Sequence, residues 1–157
     1  MRPLTSTLIF AALAGPTPAL SQSPERGQAM CYQIEKMVNA LVDYTQTSCL
    51  PTAGKSPGTH SFILISSKPV FSVEASKKGW LLVAVAATGD ALNKNASVKA
   101  DELWLSDANE MKSRTAYVLP AALARSLQQQ IKGDKIGLES MYSQISRNLS
   151  QRSIPKR

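Results

Sequence analysis

Residues 80–87 read WLLVAVAA, from Trp80 to Ala87, a run of eight apolar side chains. It carries one aromatic and two valines and lies between Lys77-Lys78-Gly79 and the polar residues 88–97 (TGDALNKNAS). Brevity, aromatic and β-branched content and flanking turn residues predict a strand here rather than a helix. A strand that is apolar on both faces belongs at the centre of a sheet covered by helices.

The neighbouring segments extend this picture. Residues 62–65 (FILI) and the group Val70, Phe71 and Val73 predict two preceding strands, divided by Ser66-Ser67-Lys68-Pro69. Three strands with tight connections predict an antiparallel meander. Residues 102–106 (ELWLS) and 115–119 (TAYVL) predict two more, joined by the polar residues 107–113.

Upstream, Ser23-Pro24-Glu25 has the cap, proline and early acid of a helix start. Met30, Ile34, Met37, Val38, Leu41 and Val42 follow at helical spacing, and the helix should fade over residues 43–48. Pro51 and residues 52–59 (TAGKSPGT) read as a loop. Downstream, Pro120 opens a helix bearing Leu123, Leu127 and Ile131 and ended by Gly133. Leu138, Met141, Tyr142, Ile145 and Leu149 repeat at helical spacing, although residues 135–139 read equally well as an edge strand.

The expected fold is therefore α+β. It has an N-terminal helix, a four- to five-stranded mostly antiparallel sheet, and one or two C-terminal helices against one sheet face.

The first twenty-one residues carry a different signal. Arg2 is followed by the apolar residues 8–14 (LIFAALA), a break at Gly15 to Pro18, and small residues at Ala19 and Ser21. This is the layout of a cleavable secretory signal peptide, and the core is about half the roughly 20 residues a membrane anchor needs. The chain divides into a leader at 1–21, one globular α+β domain at 22–149, and a flexible basic tail at 150–157 carrying Arg152, Lys156 and Arg157. The expected destination is the periplasm or the exterior, with no transmembrane segment after cleavage.

The whole chain of 157 residues has a formal net charge of +7, of which the leader contributes Arg2. Its basic residues are scattered rather than clustered, and few aromatics interleave with them, which argues against a nucleic-acid face. An exported basic protein points instead to a protein partner or an anionic envelope component.

In an exported chain the two cysteines, Cys31 and Cys49, suggest a disulfide. A continuous helix would hold their Cα atoms about 27 Å apart. A disulfide tolerates only about 4.4–6.8 Å. If the bond forms, the first helix must end early and the chain must turn back before Cys49. The alternative is a pair of unbonded thiols.

No catalytic or ligand motif withstands inspection. Gly54-Lys55-Ser56 has the end of a phosphate loop, but the glycine five residues before Gly54 is replaced by Cys49. Asp90, Asn93 and Asn95, like Asp107, Asn109 and Glu110, have the character of turn chemistry and do not match a calcium loop. Two cysteines and the single histidine, His60, match no zinc finger spacing. No cofactor, metal or catalytic residue is expected. Asp101-Glu102 are neighbours in a predicted strand, whose side chains point to opposite faces.

Three functional readings follow. The first is a non-enzymatic exported binding or accessory protein. The second is a carrier of a small apolar ligand, with a pocket between sheet and helices lined by Phe71, Trp80, Trp104 and Tyr142. The third is a hydrolase or thiol enzyme using His60 with a serine or a cysteine.

Overall fold

The computed structural model describes residues 24–155, so the leader lies outside the described residues. The elements run α1 (Pro24–Leu41), β1 (Thr47–Ala53), β2 (His60–Ser66), a 3-10 turn (Val70–Ser72), α2 (Glu74–Lys94) and β3 (Ala100–Ser106). They continue with α3 (Ala108–Lys112), β4 (Thr115–Pro120), α4 (Ala121–Lys132), α5 (Leu138–Asn148) and β5 (Ser150–Ser153). Among the described residues the strands form one sheet in the order β1-β2-β3-β4-β5. Only β2 and β3 pair in parallel; the other neighbours are antiparallel. The class is α+β with a mostly antiparallel sheet, as expected.

The stretch that was to be the central strand is instead the middle of α2. Read over the full Glu74–Lys94, the segment is rich in alanine and leucine, which lose little on entering a helix. Glu74 sits in its first turn and Lys94 in its last, both favourable to the helix dipole. Lys94 also pairs with Asp90 one turn back at 2.9 Å. Trp80, Leu81, Ala84, Val85, Thr88, Ala91 and Leu92 are buried at steps of three and four residues. Residues 80–87 look uniform because this helix is packed on several sides at once. Val70–Ser72 is a 3-10 turn rather than a strand, so no antiparallel meander exists here. The chain makes a β2–α2–β3 crossover, and this is why β2 and β3 run parallel.

Gly89 allows the tightest helix contact. A Cβ there would lie 2.2 Å from the Ala124 carbonyl oxygen and 2.7 Å from Gln128 Cβ. The backbones of α2 and α4 meet where α2 has no side chain.

Residues 47–48, expected at the fading helix end, and 51–53, expected in a loop, belong with Cys49 and Leu50 to the edge strand β1 (Thr47–Ala53). Its outer edge is closed by one stripe of α1. Cys31, Glu35 and Asn39 recur every four residues along one helix face. Asn39 accepts from the Thr47 amide at 2.8 Å and donates to the Thr47 carbonyl at 3.0 Å. Glu35 accepts from the Cys49 amide at 2.7 Å. Cys31 is disulfide-bonded to Cys49, with Cα atoms 5.2 Å apart. The helix does stop at Leu41 and the chain does turn back, as that bond requires. The amides of Thr47 and Cys49 point away from β2, so Pro51, two residues further on, lacks its N–H where the ladder needs none.

At the other end, Ser150–Ser153, expected to belong to a loose tail, adds to the sheet as β5 beside β4. Residues 135–137 are neither strand nor helix, and α5 begins at Leu138. One apolar core joins α1, α2, α4 and α5 to Phe62 and Leu64 of β2, Leu103 and Leu105 of β3 and Leu119 of β4.

Candidate binding groove on the open face of the sheet

Strand alternation sorts the sheet into two unlike faces. Phe62, Leu64, Leu103, Leu105 and Leu119 point into the helical side and belong to the shared core. Leu50, Ile63, Ile65 and Trp104 point the other way and line an open groove of about 950 Å³. Leu50, Ile63 and Trp104 are register partners across β1, β2 and β3, so they form one apolar row.

The ends of the groove come from segments that hold each other. Met111 on α3 and Arg114 after it stand at one end with Ile154 and Pro155 beyond β5. Ile154 donates its amide to the Arg114 carbonyl at 2.8 Å, and the Arg114 guanidinium donates to the Pro155 carbonyl at 3.2 Å. Arg114 has φ of 53°, in the left-handed region, where the chain reverses from α3 into β4. At the opposite end stands Lys55, in the turn between β1 and β2. Asp101 clasps that turn, accepting from the Lys55 amide at 2.5 Å and the Thr59 hydroxyl at 3.0 Å.

An ionic chain crosses the groove. Glu102 pairs with the Lys55 ammonium at 3.2 Å and accepts a hydrogen bond from Arg152 on β5. The Arg152 guanidinium also lies over the Trp104 ring, 5.0 Å from its centroid. Arg152 registers with Ala116, so its side chain must pass over β4 to reach Glu102. Ala116 and Val118 of β4, which share this face, are accordingly buried although they lie outside the main core.

Burial pushes the Glu102 carboxyl upward, but hydrogen bonds and charge from Arg152 and Lys55 outweigh it and hold it below the ordinary value. The Asp101 carboxyl is also lowered, chiefly by the Lys55 amide. A carboxyl lowered on folding contributes stability above its unfolded pKa and loses it as pH falls through the folded one. The urea midpoint of the wild type should therefore fall as pH drops below about 4. In the double variant Asp101→Asn, Glu102→Gln the acid slope should be shallower. An equal slope in both proteins would show that these carboxyls carry no linked stability.

The four aromatics expected to line one pocket are divided by the sheet. Phe71 and Trp80 meet edge to face at 5.6 Å on the helical side, and Phe71 meets Tyr117 at 5.0 Å. Trp80 is fully buried and donates to the Thr47 hydroxyl at 2.9 Å. Tyr142 on α5 donates to Glu74 at 2.6 Å, with the Lys78 ammonium 5.6 Å from its ring centroid. Trp104 alone belongs to the open face. The expected joint pocket does not form, because Trp104 alternates with the inward Leu103 and Leu105.

Neither cysteine is a thiol, since they are bonded to each other. His60 is buried beside Gly27 and Phe62, and among the described residues its Nε2 has no hydrogen-bond partner. Asp107 is a buried helix cap, accepting from the amides of Asn109, Glu110 and Phe71 at 2.8–3.0 Å. Among the described residues no group of three or more His, Cys, Asp or Glu is placed to hold a metal. Nor, among them, is any helix long and apolar enough to cross a membrane.

Apart from Trp104, the residues of this groove escaped sequence reading. Leu50 falls between the fading helix and the loop that the sequence predicts, Lys55 in that loop, and Arg152 in the tail. The usable signal was the alternation around Ile63 and Ile65, which a run as apolar as FILI conceals. No protein family, curated protein or solved structure matches the chain.

Proposed function

We propose that the protein is an exported, non-enzymatic binding protein that holds a protein or cell-envelope partner on the open face of its sheet. The observation that carries this reading is the groove, in which Leu50, Ile63, Ile65 and Trp104 form an apolar floor within a polar, charged rim. A contiguous apolar patch rimmed by polar groups is a mark of an interaction surface. Leu50 remains 47% exposed, on the side where, among the described residues, no element closes the groove. Export rests on the leader sequence, and the Cys31–Cys49 bond fits the oxidising compartment to which such a leader directs a chain.

Site-specific photo-cross-linking in the cell that naturally makes the protein tests this reading. A photoreactive phenylalanine analogue at Leu50 or Ile63 should yield a discrete adduct. The same residue at Tyr32 or Leu41, which are 66% and 67% exposed on α1, should not. Adducts from the α1 positions alone, or none from the open face, would remove the proposal.

A further inference from the structure

We infer that the occupant of the groove is an acidic peptide segment of a partner protein, bearing a large apolar side chain flanked by carboxylates. This rests on the reading of the open face as the binding surface and adds the chemistry of what binds there. Three cations, Lys55, Arg114 and Arg152, line the groove against one carboxylate, Glu102. The surplus is positive, and the complement of a positive rim around an apolar floor is an anionic, apolar-bearing segment.

The arginines are prepared for carboxylate binding. Arg152 has its guanidinium carbon 5.0 Å from the Trp104 ring centroid and is tied on one side to Glu102, so its planar fork is already positioned in the groove. Arg114 is tied to the Pro155 carbonyl. Each guanidinium has five N–H donors, more than these partners take up, and carboxylates are matched bidentately by that fork.

Two other occupants fit less well. A second copy of this chain, placed face to face, would oppose cations with cations as the groove closed. A small apolar ligand wants a site that buries most of its surface. Among the described residues this groove has a floor and end walls but no cover above it or beside Leu50. An extended peptide, which brings its own bulk, needs no roof.

The test is selection from a random dodecapeptide display library on the immobilised full chain, with Ile63→Asp as a parallel target. Clones pairing Asp or Glu with Trp, Phe, Leu or Ile should be enriched, and should be lost on Ile63→Asp. The best clone, made as a synthetic peptide, should bind about 10-fold or more weakly to Lys55→Gln, Arg114→Gln, a pair of exposed positions, in protein whose urea midpoint shows it folded. Its affinity should also fall with added salt. Neutral or basic clones that disappear on Ile63→Asp would overturn the acidic assignment while leaving the open face as the binding surface. Enriched clones indifferent to Ile63→Asp would overturn both. If no peptide is enriched, while phosphatidylglycerol vesicles or oleate bind in an Ile63-dependent manner, the occupant is a lipid and the inference fails. If neither peptides nor lipids bind, it fails as well.

Discussion

Replacing Trp80 by alanine is expected to cost about 3–5 kcal/mol of folding stability, the range for removing a buried aromatic. Trp80 is fully buried in the second turn of α2, the helix on which α1, α4 and α5 all pack. Its ring meets the edge of Phe71 at 5.6 Å, which in turn meets Tyr117 on the sheet. Its indole N–H donates to Thr47 on β1 at 2.9 Å, so one side chain ties α2 to the edge strand as well. Domains of this size are stable by about 5–15 kcal/mol, so the variant should sit near the threshold of unfolding. Urea denaturation followed by far-ultraviolet circular dichroism measures it. Trp80→Phe keeps most of the apolar volume and loses the N–H, so it should fall between the two. A loss below about 1 kcal/mol for Trp80→Ala would show that α2 is not the hub of this core.

The second large effect is expected on removing the disulfide. Cys31→Ala, Cys49→Ala should lose about 3 kcal/mol in the chain-entropy picture, for a loop closed across eighteen residues. The loss should be localised. Without the bond, β1 is held to α1 by the two side chains of Glu35 and Asn39. Amide hydrogen exchange over Thr47–Ala53 should accelerate more than over β3 or β4. A uniform acceleration across the sheet would mean that the bond acts on the whole domain rather than on its edge. Because Leu50 lies on β1, the same variant should also weaken whatever binding the open face supports.

Trp80 and the Cys31–Cys49 bond illustrate what local sequence can and cannot convey. The end of α1 was legible conditionally, because a distance limit is absolute: two cysteines eighteen residues apart can bond only if the helix ends between them, and they are bonded. Helices α1, α4 and α5 were legible from one-sided periodicity, since each has a wet face and a dry one. The helical state of α2 was hidden by the opposite circumstance. Packed against several other helices, it has little polar face left to reveal a period, and eight apolar residues viewed alone resemble a buried strand. Strand β1 was hidden by Pro51, which is tolerated because its missing N–H falls on the edge that α1 closes.

The groove shows the same limit from the side of function. Lys55, Glu102 and Arg152 come from a turn, a central strand and an edge strand, and nothing in their sequence spacing marks them as neighbours. Arg152 reaches Glu102 only because β5 lies beside β4 and its side chain crosses that strand.

By itself, then, the sequence determined the amphipathic helices, each from spacing along one short segment, and the α+β class from their alternation with short apolar runs; it left the Cys31–Cys49 bond as one of two alternatives, which the structure decided. Only the tertiary structure decided that residues 80–87 are helical, that β2 and β3 are parallel, and that one sheet face is left open with a cationic rim. Those outcomes depend on which segments cover which, a property of packing between distant residues that no local pattern carries.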